Sequence, residues 1–202
     1  MNSLYIFFAV VIAVTNGKSL GANNTLTVQV YYETLGQDSK HFITTQLYPT
    51  FVQLGRERIA LELIPYGHTS EGTDGNGNKT FTCPHGPEEC YGNKVHACFT
   101  NLAFTKEGLL QFVYCSELSN TPANNTVLQT CAHGVGFDWK LVEDCLSSGK
   151  ADELLSENGR KTALVNAPHI PTVVFNGNSY PERESVLNNF KQTVCELVDC
   201  IY

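Results

Sequence analysis

The sequence predicts an α/β domain interrupted by a long helical insertion, and three observations lead there. Val28, Val30 and Tyr32 alternate with more polar neighbours, the period-2 pattern of a strand that buries one face. A helix-like run and a second β-rich run, 59–65, follow at the lengths of a right-handed βαβ unit with parallel strands. Far downstream, 170–175 is again β-rich and ends on Asn176-Gly177, the strongest two-residue hairpin signal.

The chain opens on an uncharged, mostly apolar stretch from Leu4 to Val14. It is too short for the roughly 20 residues of a membrane span and suits the core of a signal peptide. Thr15-Asn16-Gly17 supplies small residues for cleavage before Lys18, so residues 1–17 are expected to be removed and 18–202 to form a single domain. No later segment is long and apolar enough to cross a bilayer.

The first strand delivers the turn Gly36-Gln37-Asp38-Ser39 into a helix beginning near Lys40, where Phe42, Ile43, Leu47, Phe51 and Leu54 recur at helical spacing. Pro49 is expected to kink or divide that helix, and Gly55 to stop it. Residues 66–78 are a polar excursion. Its Asp74-Gly75-Asn76-Gly77-Asn78 has the spacing of the first three oxygen ligands of a calcium loop, but Lys79 stands where the loop glycine belongs and His85 where the bidentate glutamate belongs. A hairpin tip is the better reading. From Cys83 to about residue 160 the pattern is helical, with Cys90, Cys98, Cys115, Cys131 and Cys145 spread through it. Asn178-Ser179-Tyr180 begins the hairpin's return strand. Glu184 to Val198 then reads as one closing amphipathic helix with Val186, Leu187, Phe190, Val194 and Leu197 on one side. Strand, helix, strand, helical insertion, hairpin and helix make a thioredoxin-like topology with a disulfide-stapled insertion at about 83–160.

The formal net charge of −7 and pI near 5.3 argue against a nucleic-acid or anionic-lipid partner held by bulk electrostatics. The eight cysteines are an even set in a chain bound for an oxidising compartment, which reads as disulfides. Their connectivity is open, because eight cysteines allow about 105 pairings. Sequons at Asn23, Asn78 and Asn124 lie in polar, turn-rich surroundings and point to a secreted glycoprotein. Nothing in the sequence implies a cofactor.

The segment Cys83-Pro84-His85-Gly86-Pro87-Glu88-Glu89-Cys90, continuing through Asn93 to Cys98, resembles the signature of the gamma-interferon-inducible lysosomal thiol reductase (GILT) family. That signature reads C-Q-H-G, two residues, E-C, two residues, N, four residues, C, and Pro84 in place of glutamine is the one departure. Val30-Tyr31-Tyr32-Glu33-Thr34-Leu35, Leu63-Ile64-Pro65-Tyr66-Gly67 and Ile170-Pro171-Thr172-Val173 are similar to the family's first strand, its second strand and its proline segment. The resemblance implies a thioredoxin fold, a lysosomal or secreted address, a setting in host defence, and a C-x-x-C at the first turn. Those two cysteines would fall on Gly36 and Ser39. Disulfide exchange needs an attacking thiolate and a resolving thiol, and the turn has neither.

The reading that follows is a member without reductase activity that binds a polypeptide or a cell or microbe surface through Gly36, Gln37, Asp38, Ser39, Ile170 and Pro171. In thioredoxin-like folds the corresponding proline is cis and borders an extended backbone edge. The alternative is a residual thiol–disulfide oxidoreductase that uses other cysteines. Cys195 and Cys200 are the closest pair; they lie five apart, so Cys200 must sit past a helix end if they join.

Zinc on Cys83, His85, Cys90, His96 and Cys98 is set aside, because finger-type sites use closer pairs and secreted thiols are oxidised. His85 and His96 then read as loop-ordering or surface residues. A hydrolase built on Asp38, Ser39 and His41 is set aside too, since no glycine flanks the serine as a nucleophile elbow requires. A helix N-cap role accounts for Asp38 or Ser39.

Overall fold

The computed structural model describes residues 25–179 and 183–200. The leader 1–17, the sequon asparagine Asn23 and Tyr180 lie outside the described residues.

β1 (Leu26–Tyr32) is the central strand. Val28, Val30 and Tyr32 are fully buried and Tyr31 nearly so, as a strand covered on both faces requires. It runs parallel to β2 (Ile59–Pro65), in register from Leu26 opposite Ile59 to Tyr32 opposite Pro65, as expected of the βαβ unit. The strands β3 (Ser70–Thr73) and β4 (Lys79–Thr82) form a separate hairpin. Asp74 Oδ1 holds its tip by accepting the N–H groups of Asn76 and Asn78, both at 2.8 Å. On the other side of β1, β5 (Thr172–Phe175) pairs antiparallel with Thr172 opposite Tyr31. The turn to β6 (Asn178–Ser179) uses Asn176 and Gly177 at φ of 49° and 77°, the positive angles that a two-residue hairpin turn demands. The sheet order is β2-β1-β5-β6.

The helix after β1 divides before Pro49. α1 (Gln37–Phe42) passes into a π-helical turn, Ile43–Leu47, and then α2 (Tyr48–Leu54). The Tyr48 N–H reaches Ile43 O, five residues back, so Pro49 enters the first turn of α2, where its missing N–H costs nothing. The hydroxyls of Thr44 and Thr45 donate to Lys40 O and His41 O at 2.7 and 2.8 Å across the widened turn.

The insertion comprises α3 (Pro87–Leu102), α4 (Lys106–Leu118), α5 (Asn125–Gly134), α6 (Trp139–Ser147) and α7 (Lys150–Val165). Phe99 and Phe112 stack at 3.8 Å and join Val28, Val30 and Tyr32 in one core, so the insertion packs onto the sheet rather than standing off it. Cys98–Cys145 ties α3 to α6 and Cys115–Cys131 ties α4 to α5. By loop-closure entropy these bridges contribute about 4 and about 3 kcal/mol. Cys83–Cys90 closes the approach to α3.

Sequence periodicity predicts one closing helix over 184–198; the structure has two. α8 (Arg183–Asn188) and α9 (Phe190–Val198) break at Asn189, whose φ and ψ are −133° and 42°. The break turns Phe190 fully inward, against Phe42 edge-on at 5.2 Å, while Gln46 Oε1 accepts its N–H at 3.3 Å. Val186, Leu187 and Val194 are buried, but Leu197 is exposed. Cys200 lies beyond α9 and bonds Cys195.

Candidate functional site

The turn after β1 is held from below by the segment Cys83 to Cys98, although the two are more than fifty residues apart in sequence. Glu89 is fully buried. Its Oε2 accepts the Leu35 N–H at 3.3 Å and faces His85 Nδ1 at 2.6 Å; its Oε1 accepts the His85 N–H at 3.2 Å. The Glu89 carbonyl accepts the Thr34 hydroxyl at 3.3 Å, and Asn93 Oδ1 accepts the Thr34 N–H at 3.0 Å. Gly92 allows this approach: a Cβ there would lie 2.5 Å from Thr34 Oγ1. Asn93 thus satisfies the buried Thr34 N–H, and Glu89 the part-buried N–H groups of Leu35 and His85, none of which a regular ladder reaches.

Glu33 completes the turn from the other side. Its Oε2 accepts the His68 N–H at 3.1 Å, and a Cβ on Gly67, whose φ is 59°, would lie 2.2 Å from that oxygen. Burial raises the Glu33 pKa most, Glu89 adds to the rise, and the His68 N–H opposes it. The Glu33, His85 and Glu89 ligand-type atoms all lie within 4.8 Å of one another.

The expected site residues fall into two groups. Gln37 and Asp38 are exposed, whereas Gly36 and Ser39 are buried. The N-cap reading of Asp38 or Ser39 is corrected: Gly36 occupies the cap with no side-chain hydrogen bond, and Ser39 Oγ turns back to accept the Glu33 N–H at 3.3 Å. The Ile170–Pro171 bond is cis, and both residues are buried. Arg183 connects the two groups, donating from Nε to Pro171 O at 3.3 Å and standing 4.0 Å from Asp38 Oδ2.

Two buried titratable groups lie behind the turn. His96 bridges Tyr32 OH at 2.9 Å and Ser116 Oγ at 3.1 Å, and burial pushes its pKa down to about 3, so it is a neutral core residue. Glu117 is fully buried with neither carboxyl oxygen hydrogen-bonded, and burial raises its pKa well above the ordinary value of 4.5. The eight cysteines are joined as Cys83–Cys90, Cys98–Cys145, Cys115–Cys131 and Cys195–Cys200, leaving no free thiol.

Pattern reading of the sequence missed Glu33, Asn93, Arg183 and Glu117 as site-forming residues. Only Asn93, and Glu89 with it, carried a signal, as fixed positions of the Cys83–Cys98 signature.

A family model described as "Gamma interferon inducible lysosomal thiol reductase (GILT)" matches residues 27–135. GILT-like protein 1 of Drosophila melanogaster is 34% identical over 188 residues, covering 85% of this chain and 74% of that protein. The gamma-interferon-inducible lysosomal thiol reductase of Carassius auratus is 32% identical over 178 residues, covering 85% and 68%. Among solved structures, the thiol-disulfide exchange protein alpha-DsbA2 from Wolbachia pipientis superposes with a TM-score of 0.59 at 12% identity, covering 88% of this chain and 84% of that one. Reduced DsbG from Mycobacterium tuberculosis gives 0.58 at 18% identity, covering 94% and 85%. At such identities these two speak for the thioredoxin-like fold alone.

Proposed function

The chain belongs to the gamma-interferon-inducible lysosomal thiol reductase family, and on that premise we propose that it is a member that has lost thiol reductase chemistry and acts by binding. The observation that carries this reading is the absence of sulfur from the turn. Gly36 has no side chain, and Ser39 Oγ is buried and already committed to the Glu33 N–H. Attack on a disulfide and resolution of the mixed disulfide each need a thiol that this turn does not supply.

The partner is an extended polypeptide, or a protein on a cell or microbe surface, lying along Gly36, Gln37, Asp38 and Ser39 toward Ile170 and Pro171. Two clefts support a binding role. One of about 390 Å³ runs past the proline segment between His169, Arg183 and Val186; the other, about 590 Å³, lies on the far side of the turn between Leu35, Tyr91 and Ala123. The protein works as a secreted or endolysosomal glycoprotein in host defence, with glycans on Asn23, Asn78 and Asn124. Asn78 and Asn124 are exposed, and Asn124 caps α5 through Oδ1, which leaves Nδ2 for a glycan.

Insulin reduction at acidic and neutral pH tests the loss. The expected rate equals that of a cysteine-free control, and turnover well above it would sink the proposal. The rival oxidoreductase working through other cysteines needs an alkylatable thiol in the native protein. Mass spectrometry after native iodoacetamide treatment separates the two, and no label is expected.

A further inference from the structure

The three ligand-type side chains under the turn come from three separate places: Glu33 at the end of β1, His85 in the loop before α3, and Glu89 in the first turn of α3. Glu33 and Glu89 are buried, with side chains 9% and 0% exposed, while His85 is 44% exposed and opens the cluster to solvent. No lysine or arginine pairs with either carboxylate among the described residues; their ion-pair contacts are to His85 alone, at 3.8 and 2.6 Å. Two carboxyl groups largely withdrawn from water converge on one imidazole with no lysine or arginine to pair them, an arrangement whose charge a divalent cation would balance.

One oxygen of the pair is uncommitted. Glu33 Oε1 accepts no hydrogen bond among the described residues, whereas Glu33 Oε2 and both Glu89 oxygens are oriented by backbone N–H groups of His68, Leu35 and His85. Backbone N–H groups that fix carboxylates from behind while an oxygen is offered to a shared centre are the usual outer support of a metal ligand set. The cluster is closed on one side and open on the other. A Cβ on Gly36 would lie 2.8 Å from Glu33 Cγ and 3.1 Å from Glu33 Oε1, so the turn packs directly against the cluster, and the open side is that of His85.

We propose that Glu33, His85 and Glu89 hold a divalent transition-metal ion of the zinc type, with a further coordination position on the solvent side beside His85. The donor set selects the ion: imidazole with two carboxylates suits zinc and its first-row neighbours, while calcium and magnesium take oxygen ligands. Metal–ligand bonds of about 2.0–2.1 Å in a tetrahedron place ligand atoms about 3.3 Å apart. The 2.6 Å His85–Glu89 contact would widen and the 3.8 Å His85–Glu33 separation would close, adjustments within the reach of side-chain rotation. Zinc by cysteine and histidine spacing, which the sequence suggests and then excludes, is a different site: every cysteine is in a disulfide, and Glu33 lies far outside that segment.

The test is calorimetric titration of the tag-free, chelator-treated full-length glycoprotein with Zn²⁺, and separately with Ca²⁺. Saturable uptake near one equivalent of Zn²⁺ and no comparable Ca²⁺ uptake are expected. Glu33→Gln and His85→Ala should each weaken Zn²⁺ binding by about tenfold or more. Zn²⁺ binding that is absent, matched by Ca²⁺, or unchanged in both variants overturns the proposal. Co²⁺ loaded into the unsubstituted protein gives a second measurement that does not depend on the variants folding. Intense visible bands of a four- or five-coordinate nitrogen–oxygen site support it, and the weak spectrum of the six-coordinate hydrated ion overturns it.

Discussion

The β1–α1 turn and the segment from Cys83 to Cys98 face each other across a short buried contact, yet they differ in what they contain. The segment supplies a disulfide that closes its own loop, and a buried carboxylate and a buried amide that accept backbone N–H groups. The turn it holds offers a glycine, a serine already bonded to its own loop, and two exposed polar side chains. The difference teaches that the brace and the thiols are separable parts. The brace is needed by any turn that departs from the sheet with unpaired buried donors, whether or not a thiol sits on it.

Cutting the brace should have the largest effect. Glu89→Ala leaves the Leu35 and His85 N–H groups without their acceptor. Both donors are only partly buried, so water takes up part of the loss, and about 2 kcal/mol is expected, or about 4–8 °C in the thermal midpoint for a domain of this size. Glu89→Gln keeps an acceptor oxygen and should lose clearly less; equal losses would mean that the charge, not the hydrogen bonding, holds the turn. Gly92→Ala attacks the same contact sterically. Its Cβ would meet Thr34 Oγ1 at 2.5 Å and Ala123 Cβ at 2.9 Å, and overpacking of that kind costs about 2 kcal/mol. A midpoint unchanged in Gly92→Ala would show that the turn moves freely on the segment.

These two regions were also unequally legible in the sequence. Alternation along 26–32 and the Asn176-Gly177 pair report local geometry, so the strands, their parallel pairing and the hairpin could be read directly. Helical spacing in the insertion was legible for the same reason. The division of the closing helix at Asn189 was not, because Phe190 is drawn inward by Phe42, an element almost 150 residues away in sequence. Pro49 announced an interruption but not its form, since a π-turn and a kink relieve the same missing N–H. The disulfide pairs depend on which helices end up side by side, which spacing does not encode. Glu33 is the clearest case. It looks like the first polar residue after a strand, and its burial is set by Gly67 and His68 at one side and by α3 at the other.

Restoring thiols to the turn sharpens the comparison from the opposite direction. If the brace still presents the turn as in active relatives, Gly36→Cys combined with Ser39→Cys should raise insulin reduction about tenfold over the unsubstituted protein, a barrier change of about 1.4 kcal/mol. The structure identifies the obstacle. A Cβ at 36 would lie 2.8 Å from Glu33 Cγ, so Glu33 must shift to admit the new side chain. Adding Glu33→Ala should therefore increase the rate of the double variant further. If the double variant is folded and inert with or without Glu33, the turn has lost more than its thiols.

The last comparison concerns the two buried groups behind the turn, which respond to pH in opposite senses. The folded pKa of Glu117 is raised above 4.5, so its unfolded form ionises first and stability declines as pH rises past 4.5. The folded pKa of His96, about 3, lies below the ordinary 6.5, so stability from this group is complete above 6.5 and declines as pH falls toward 3. Between 4.5 and 6.5 the two slopes oppose each other. Glu117→Gln removes one of them. Its midpoint should gain on that of the unsubstituted protein as pH rises from 5 to 7.5, at up to about 1.4 kcal/mol per pH unit. The amide brings N–H donors of its own into a site where neither oxygen has a partner, so the offset at pH 5 is not diagnostic; the growth of the difference with pH is. Parallel curves would mean that Glu117 does not enter the fold as the neutral acid.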